Sequence, residues 1–301
     1  MSPPTPPAST SAPADLFQRV RALELLARRN VAARLQGDYV TAFKGSGLLF
    51  EEPRRYQPGD PVRTIDWNIT ARLQEPYVRT YREERQRDVV LVVDVSPSMH
   101  SGFQRRSKLE TAVELAATLA VSAVEAGDRL GWIAFADEVV DHGRPRRGKA
   151  QLWRALQTLL DVSRPWDRRV DVTDPRAAIH ELESRRGAPM VIFLISDFLD
   201  HDVPEDLRYL RPRHDASVIH VYDPFEFSDA TALRFPAASP EGAGEIRTVA
   251  PGGPGTLEAT QRELATTCAG LALDFLSISS GEPVAGALLR LFHGKRRRTA
   301  R

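Results

Sequence analysis

The stretch DVVLVVDVSPSMHSG, residues 88–102, decides the fold. From Val89 to Val93 the apolar residues run on without alternation, the pattern of a strand buried on both faces of a parallel sheet. The strand ends in an acid, Asp94, and two serines follow at intervals of two, Ser96 and Ser98, a set of oxygen donors with no base among them. A second stretch, MVIFLISDF at 190–198, has the same form: six apolar residues, then Ser196 and Asp197. Between and beyond these runs the pattern alternates. Lys108 to Gly127 places Leu109, Val113, Ala116, Leu119, Ala120 and Ala123 on one helical face, with Gly127 as a C-cap. Strand Leu130 to Ala136 follows, with a partner near Val139, then a helix from Gln151 to Leu160 and another from Thr173 or Asp174 with Pro175 in its first turn. Strand Met190 to Ile195, a helix from Pro204, strand Ser217 to Tyr222, a helix from Leu257 to Ala269, strand Leu271 to Ile278 and a last helix from Glu282 to Phe292 complete the reading. Strands separated by helices predict an α/β fold, a doubly wound and mainly parallel sheet with right-handed crossovers.

Upstream, Leu16, Val20, Leu23, Leu26 and Val31 recur at helical spacing behind Asp15 as N-cap, which predicts a helix from Asp15 to Leu35. From Tyr39 to Arg87 short aromatic and β-branched pieces are broken by GSG and QPGDP, which suits hairpins. The predicted organisation is a tail at 1–14, an N-terminal helix and β-rich module at 15–87, the α/β domain at 88–294 and a basic tail at 295–301. The Pro- and Gly-rich interval from Asp223 to Gly255 reads as a long excursion with a hairpin around EGAGEIRTV.

Composition narrows the function classes. Lys and Arg number 41 against 40 Asp and Glu in 301 residues, a net charge of +1, so the chain as a whole has no bias towards nucleic acid or acidic membranes. Only Lys44, Lys108, Lys149 and Lys295 are lysines. The single cysteine, Cys268, has no partner for a disulfide and no neighbour at metal-ligand spacing, so it reads as a small buried hydrophobe in a reducing compartment. The opening MSPPTPPASTSAPAD has neither a basic nor an apolar region of a secretory signal. The longest apolar runs fall far short of the ~18 residues of a membrane-spanning helix. A cytoplasmic location is predicted.

In an open parallel sheet, ligands bind beyond the carboxyl ends of the strands where strand order reverses. If the strands ending in Asp94 and Asp197 flank that point, two acids share a crevice with Ser96 and Ser98. They repel unless one is protonated or a cation sits between them. An all-oxygen donor set suits Mg2+ or Mn2+ rather than zinc, and such an ion would accept a further carboxylate from outside. The alternative is a turn in which Asp and Ser bond local amides. A metal-assisted hydrolase needs a general base that the motif does not supply. There is no nucleophile elbow around Ser96 or Ser98 and no Gly-rich Lys-Ser/Thr loop for nucleotide.

The DVSPS stretch, Asp94 to Ser98, resembles the Asp-x-Ser-x-Ser signature of von Willebrand factor A domains. Their metal-ion-dependent adhesion site also uses a later Thr and Asp, which fall here on Thr173 and Asp197. Residues 43–85, FKGSGLLFEEPRRYQPGDPVRTIDWNITARLQEPYVRTYREER, are similar to the hallmark of the bacterial family of domains of unknown function 58, in its short form without membrane helices. The resemblance implies a non-enzymatic, divalent-metal-dependent adaptor that partners a MoxR-type AAA+ ATPase in the maturation or assembly of client proteins. A partner Asp or Glu would complete the metal shell held by Asp94, Ser96, Ser98, Thr173 and Asp197. Within RRYQPGDPVRTIDW, Arg63, Asp66 and Trp67 read either as ties within the structure or as a docking surface. A metal-free scaffold of the same fold is the alternative function, ahead of a hydrolase. No nucleic-acid partner and no transmembrane segment are expected.

Overall fold

The structure, a computed structural model, describes residues 13–31, 33–43, 48–50, 54–58, 60, 65–78, 81–83, 86–102, 106–162, 173–185, 187–198, 207–210, 213–227 and 256–299. The chain divides into two units, one made of residues 1–42 with 87–301 and the other of residues 43–86.

In the larger unit the sequence opens with two helices, α1 (Pro13–Asn30) and α2 (Ala33–Ala42), where the apolar pattern had suggested one. The other unit holds β1 (Leu48–Phe50), β2 (Arg54–Arg55), α3 (Trp67–Leu73), β3 (Tyr77–Val78) and β4 (Tyr81–Glu83). Strand β1 pairs antiparallel with β4, and β2 with β3. Helix α3 is absent from the sequence reading because none of its residues is buried and it has no apolar stripe to announce it. Its start is set by Asp66, whose carboxylate accepts from the amides of Asn68 and Ile69. The QPGD turn closes through the Asp60 amide on the Gln57 carbonyl, while the Asp60 carboxylate takes both guanidinium nitrogens of Arg54.

The sheet of the larger unit is built from β5 (Asp88–Asp94), β6 (Arg129–Phe135), β7 (Val139–Arg146), β8 (Met190–Ser196), β9 (Asp215–Tyr222) and β10 (Asp274–Ser279) in the order β10-β9-β8-β5-β6-β7. All pairs are parallel except β6 with β7. This is the predicted doubly wound α/β arrangement. The connecting helices are α4 (Lys108–Glu125), α5 (Lys149–Val162), α6 (Pro175–Ser184), α7 (Leu207–Leu210), α8 (Thr256–Gly270) and α9 (Val284–Thr299). Ala178, Ile179 and Leu182 of α6, Leu207 and Leu210 of α7, and Leu264 and Cys268 of α8 share one core with Val90, Val92, Ile192, Leu194 and Val218 of the sheet. Burial pushes the Cys268 thiol up to about 12, so it packs as an apolar group.

Helix α4 was expected to bury one face, yet it is buried all round from Thr111 to Ala123. The reason is α1, which packs over it: Asn30 donates to Glu114, and Arg28 pairs with Glu125. The Thr118 and Ser122 hydroxyls satisfy themselves on carbonyls one turn back, at Glu114 and Thr118. The last helix runs past Gly294 to Thr299 because the basic residues at its end have acids to meet. Lys295 is buried between Asp215 and Asp274, Arg296 pairs with Asp38 on α2, and Arg298 with Asp274. The stretch read as a basic tail is therefore helical as far as Thr299. The predicted hairpin around EGAGEIRTV lies outside the described residues, as does Pro204.

Asp128, buried just before β6, holds two segments at once. One oxygen accepts the Tyr39 hydroxyl at 3.0 Å and the other the Arg87 amide at 3.1 Å. Burial raises the Tyr39 phenol well above its usual range, with the Asp128 charge second.

The outer strand β7 is irregular, with register shifts on either side of its pairing with β6, and it carries Gly143 directly against the indole of Trp132. A Cβ at Gly143 would lie 2.4 Å from the ring, and that ring is buried with its Nε1 bonded to Asp141 at 2.8 Å. Gly143→Ala is expected to destabilise the protein by about 1–3 kcal/mol. Urea unfolding should show a lowered midpoint at unchanged slope.

Candidate functional site

From β5 the chain crosses to β6 on one side, and its other neighbour is β8, so strand order reverses between β5 and β8. The register pairs Val93 with Ile195, which brings Asp94 and Ser196 level at the carboxyl ends. Asp94 is fully buried. One oxygen accepts the Ser96 amide at 2.9 Å and the other the Ser196 hydroxyl at 2.6 Å. The Ser96 and Ser98 hydroxyls lie 3.0 Å apart and bond to each other. Burial, and after it the charge of Asp197, raises the Asp94 carboxyl to about 7, against the pull of the Ser196 and Ser96 hydrogen bonds.

The group that answers the opening acids comes from α4. Lys108 is the first residue of that helix, behind a capping box in which Ser107 and Glu110 satisfy each other's amides. A lysine here stands at the positive end of the helix dipole, an unfavourable place for a cation. Its side chain is fully buried, and the ammonium lies 2.8 Å from Asp197 Oδ2 and 2.6 Å from Glu226 Oε1, both also buried. Burial alone would lower the Lys108 pKa. The charges of Asp197 and Glu226 and their hydrogen bonds outweigh it and raise the group above its usual value. Glu226 sits in a short 3-10 turn, Pro224–Phe227, that follows β9. Ser101 Oγ lies 2.7 Å from both Glu226 Oε1 and the Ser98 carbonyl. It has one proton to share between them.

This arrangement overturns the expected Mg2+ or Mn2+ site on Asp94, Ser96, Ser98, Thr173 and Asp197, and with it the metal-dependent function. Among the described residues no group of three His, Cys, Asp or Glu side chains is placed to hold a metal ion. Asp197 already has a cation in Lys108, and the two serine hydroxyls bond one another. Thr173 is buried, and its neighbour Asp174 donates its amide to the Ala136 carbonyl beyond β6. No hydrogen bond joins the Thr173 hydroxyl to the other four residues among those described. Asp94, Ser96, Ser98 and Asp197 lie at the same end of the sheet, and sequence reasoning missed Lys108, Ser101, Ser196 and Glu226 beside them. The signal for Lys108 was available: a rare lysine in an arginine-rich chain, set in the first turn of a helix.

Two further features border the cluster. His220, level with Ser196 on the neighbouring strand, is buried, its ring stacks on Tyr222, and burial lowers its pKa to about 4. It is neutral at physiological pH. Phe198 adopts φ of 49°, a left-handed conformation that is costly for a bulky residue, with its amide bonded to Ser196 Oγ.

Residues 52–233 match the model of the family described as "Protein of unknown function DUF58". The chain belongs to the DUF58 family. Uncharacterized proteins of Mycobacterium tuberculosis and Mycobacterium bovis are 33% identical to this DUF58 chain over 211 residues, 69% of its length and 66% of theirs. The chain thus spans just under two thirds of the curated relatives it matches. Among solved structures, the conserved hypothetical protein BatB from Bacteroides thetaiotaomicron is a distant likeness, 17% identical over 70% of this chain and 98% of that one, with a TM-score of 0.48. An aerotolerance-related membrane protein from Bacteroides fragilis gives the same values. In this DUF58 chain no described helix is long and apolar enough to cross a membrane.

Of the second candidate set, Arg63 lies outside the described residues. Asp66 is buried and serves as the α3 N-cap, a structural role. Trp67 is 66% exposed.

Lys108→Met would strand Asp197 and Glu226 as buried acids, and a loss of about 3–5 kcal/mol is expected at mildly alkaline pH. Adding Asp197→Asn and Glu226→Gln should recover most of it in chemical unfolding. The pH dependence has two opposed parts. Because the Asp94 pKa is raised in the fold, its contribution is fully present below the unfolded carboxylate value, about 3.9, and is lost as pH rises through about 7. Because that of His220 is lowered, its contribution is present above the unfolded imidazole value, about 6.5, and is lost as pH falls through about 4. Asp94→Asn, whose oxygen still accepts the Ser96 amide while its NH2 donates to Ser196 Oγ, reversing that bond, is expected to remove the first slope, so stability rises more steeply from pH 4 to 6.5 than in the wild type.

Proposed function

We propose that this chain is a metal-free protein-interaction scaffold with a von Willebrand factor A-like sheet, non-enzymatic itself, acting as an adaptor for a MoxR-type AAA+ ATPase and its client. The observation that carries this reading is the buried Lys108 between Asp197 and Glu226 at the strand-order switch. A site where an enzyme of this topology would hold cofactor or substrate is here filled by the protein's own charges.

Support for the absence of catalysis is local. The Ser96 and Ser98 hydroxyls bond each other rather than a base, and His220 engages Ser277 at 3.1 Å. A nucleophile needs an activating neighbour, and among the described residues neither serine is bonded to one. The ATPase and the acidic side chain through which it would be met come from the family resemblance of DVSPS and of residues 43–85. The exposed Trp67, of a residue type enriched at binding hot spots, offers a second point of attachment.

Capture from native lysate on the tagged full chain, read by mass spectrometry, tests the adaptor. An AAA+ ATPase should be retained by the wild type and equally by Asp94→Asn, and millimolar Mg2+ or Mn2+ should leave the melting temperature of the purified chain unchanged. Loss of the ATPase in Asp94→Asn together with a metal-induced rise in melting temperature would restore a metal-dependent mode. Capture of no ATPase by the wild type removes the partner.

A further inference from the structure

Glu226 is an unusual tenant of the crevice. Its Oε1 is held by the Lys108 ammonium and shares the proton of Ser101, yet its Oε2 is buried with no hydrogen-bond partner among the described residues. A buried carboxylate ordinarily satisfies both oxygens, and leaving one unpaired has a real desolvation cost. The turn that carries it is anchored at one end. Asp223 accepts the Phe225 amide on one carboxylate oxygen and the Ser280 hydroxyl on the other, and its carbonyl accepts the Glu226 amide. Phe225, immediately before Glu226, is 53% exposed beside this seam. An ammonium with three donors, a hydroxyl next to it and an apolar ring at the rim form a receptor for a carboxylate on a side chain.

We propose that Lys108 and Ser101 form a carboxylate-binding site, closed in the free protein by Glu226 acting as a built-in ligand, and opened when an Asp or Glu of a protein partner takes its place. This rests on the interaction-scaffold reading and supplies its switch. The incoming carboxylate exchanges one ion pair for another, so no charge is left uncompensated on Lys108. Relief of the unpaired Oε2 favours the release of Glu226 to water. Phe225, already half exposed beside Glu226, gives the partner an apolar contact. Asp197 stays on Lys108 throughout and keeps the ammonium in place.

The test uses the purified full chain, with two readouts: acylation of Lys108 by an amine-reactive reagent, located by mass spectrometry against Lys149 as an exposed control, and retention of a fluorescent poly-glutamate peptide over its poly-glutamine counterpart. Glu226→Gln is expected to raise Lys108 labelling by about tenfold, since labelling follows the population of the open turn. It should also raise retention of the glutamate probe, and Lys108→Met combined with Glu226→Gln should abolish that gain. Ser101→Ala, which leaves every charge in place, should shift labelling in the same direction by a smaller amount and serves where Glu226→Gln does not fold. Unchanged Lys108 labelling in a folded Glu226→Gln protein overturns the proposal, as does a probe gain that survives in the double variant. Capture of the ATPase by the wild type bears on the adaptor reading alone, so the two can fail separately.

Discussion

One buried ammonium holds the top of this sheet together. Lys108 joins the first turn of α4, the end of β8 and the turn after β9, three places far apart in the chain, through two ion pairs with Asp197 and Glu226. Removing three charged groups from water costs about as much as their attraction returns, so such a cluster adds little net stability over an apolar replacement. What it provides is geometry. The first turn of α4, the end of β8 and the turn after β9 are brought to one point by it. Asp94 accommodates the surplus negative charge by binding a proton more readily than a free carboxyl does.

The motif at 94–98 therefore has a different physical meaning from the one its spacing suggests. Alternate Asp and Ser residues after a buried strand place oxygens around a point, and that much follows from strand geometry. The sign and source of the charge that balances them do not follow from spacing. A metal ion and a lysine on the next helix are equivalent answers from the viewpoint of residues 94–98, and the choice is made ten residues later, at Lys108. With a lysine, the positive charge is covalently part of the chain and cannot be removed by competition for metal. The neutral, stacked His220 and the left-handed Phe198 extend the same rigid layer below it.

The sheet was legible because β5 and β8 are unbroken apolar runs that can exist only as buried parallel strands, and because acids at their ends mark the topological switch. The helix starts at Lys108 and near Asp174 were legible, the first from its apolar face and the second from Pro175 in its first turn. Other parts were hidden for physical reasons. Nothing in the periodicity distinguishes a helix buried by a sheet alone from one covered as well by α1, so the outer burial of α4 could not be seen. Helix α3 has no apolar face. The run of arginines after Gly294 reads as solvated until Asp38, Asp215 and Asp274 are brought next to it from other elements. Glu226 sits in a turn without period, and its role depends on a lysine over a hundred residues earlier.

The two hydrogen bonds on Asp128 carry a consequence for how this chain can change. Tyr39 lies just before the chain leaves the larger unit, and Arg87 is where it returns. Both are pinned to the same carboxylate. The forty-odd residues between them are thus a closed excursion whose ends are brought together by the host as well as by the pairing of β1 with β4. The entropy of joining such ends grows only slowly with the length between them. A change in the length of the excursion therefore asks little of the sheet and its internal cation. In that sense Asp128 is the clasp that lets the frame carry it.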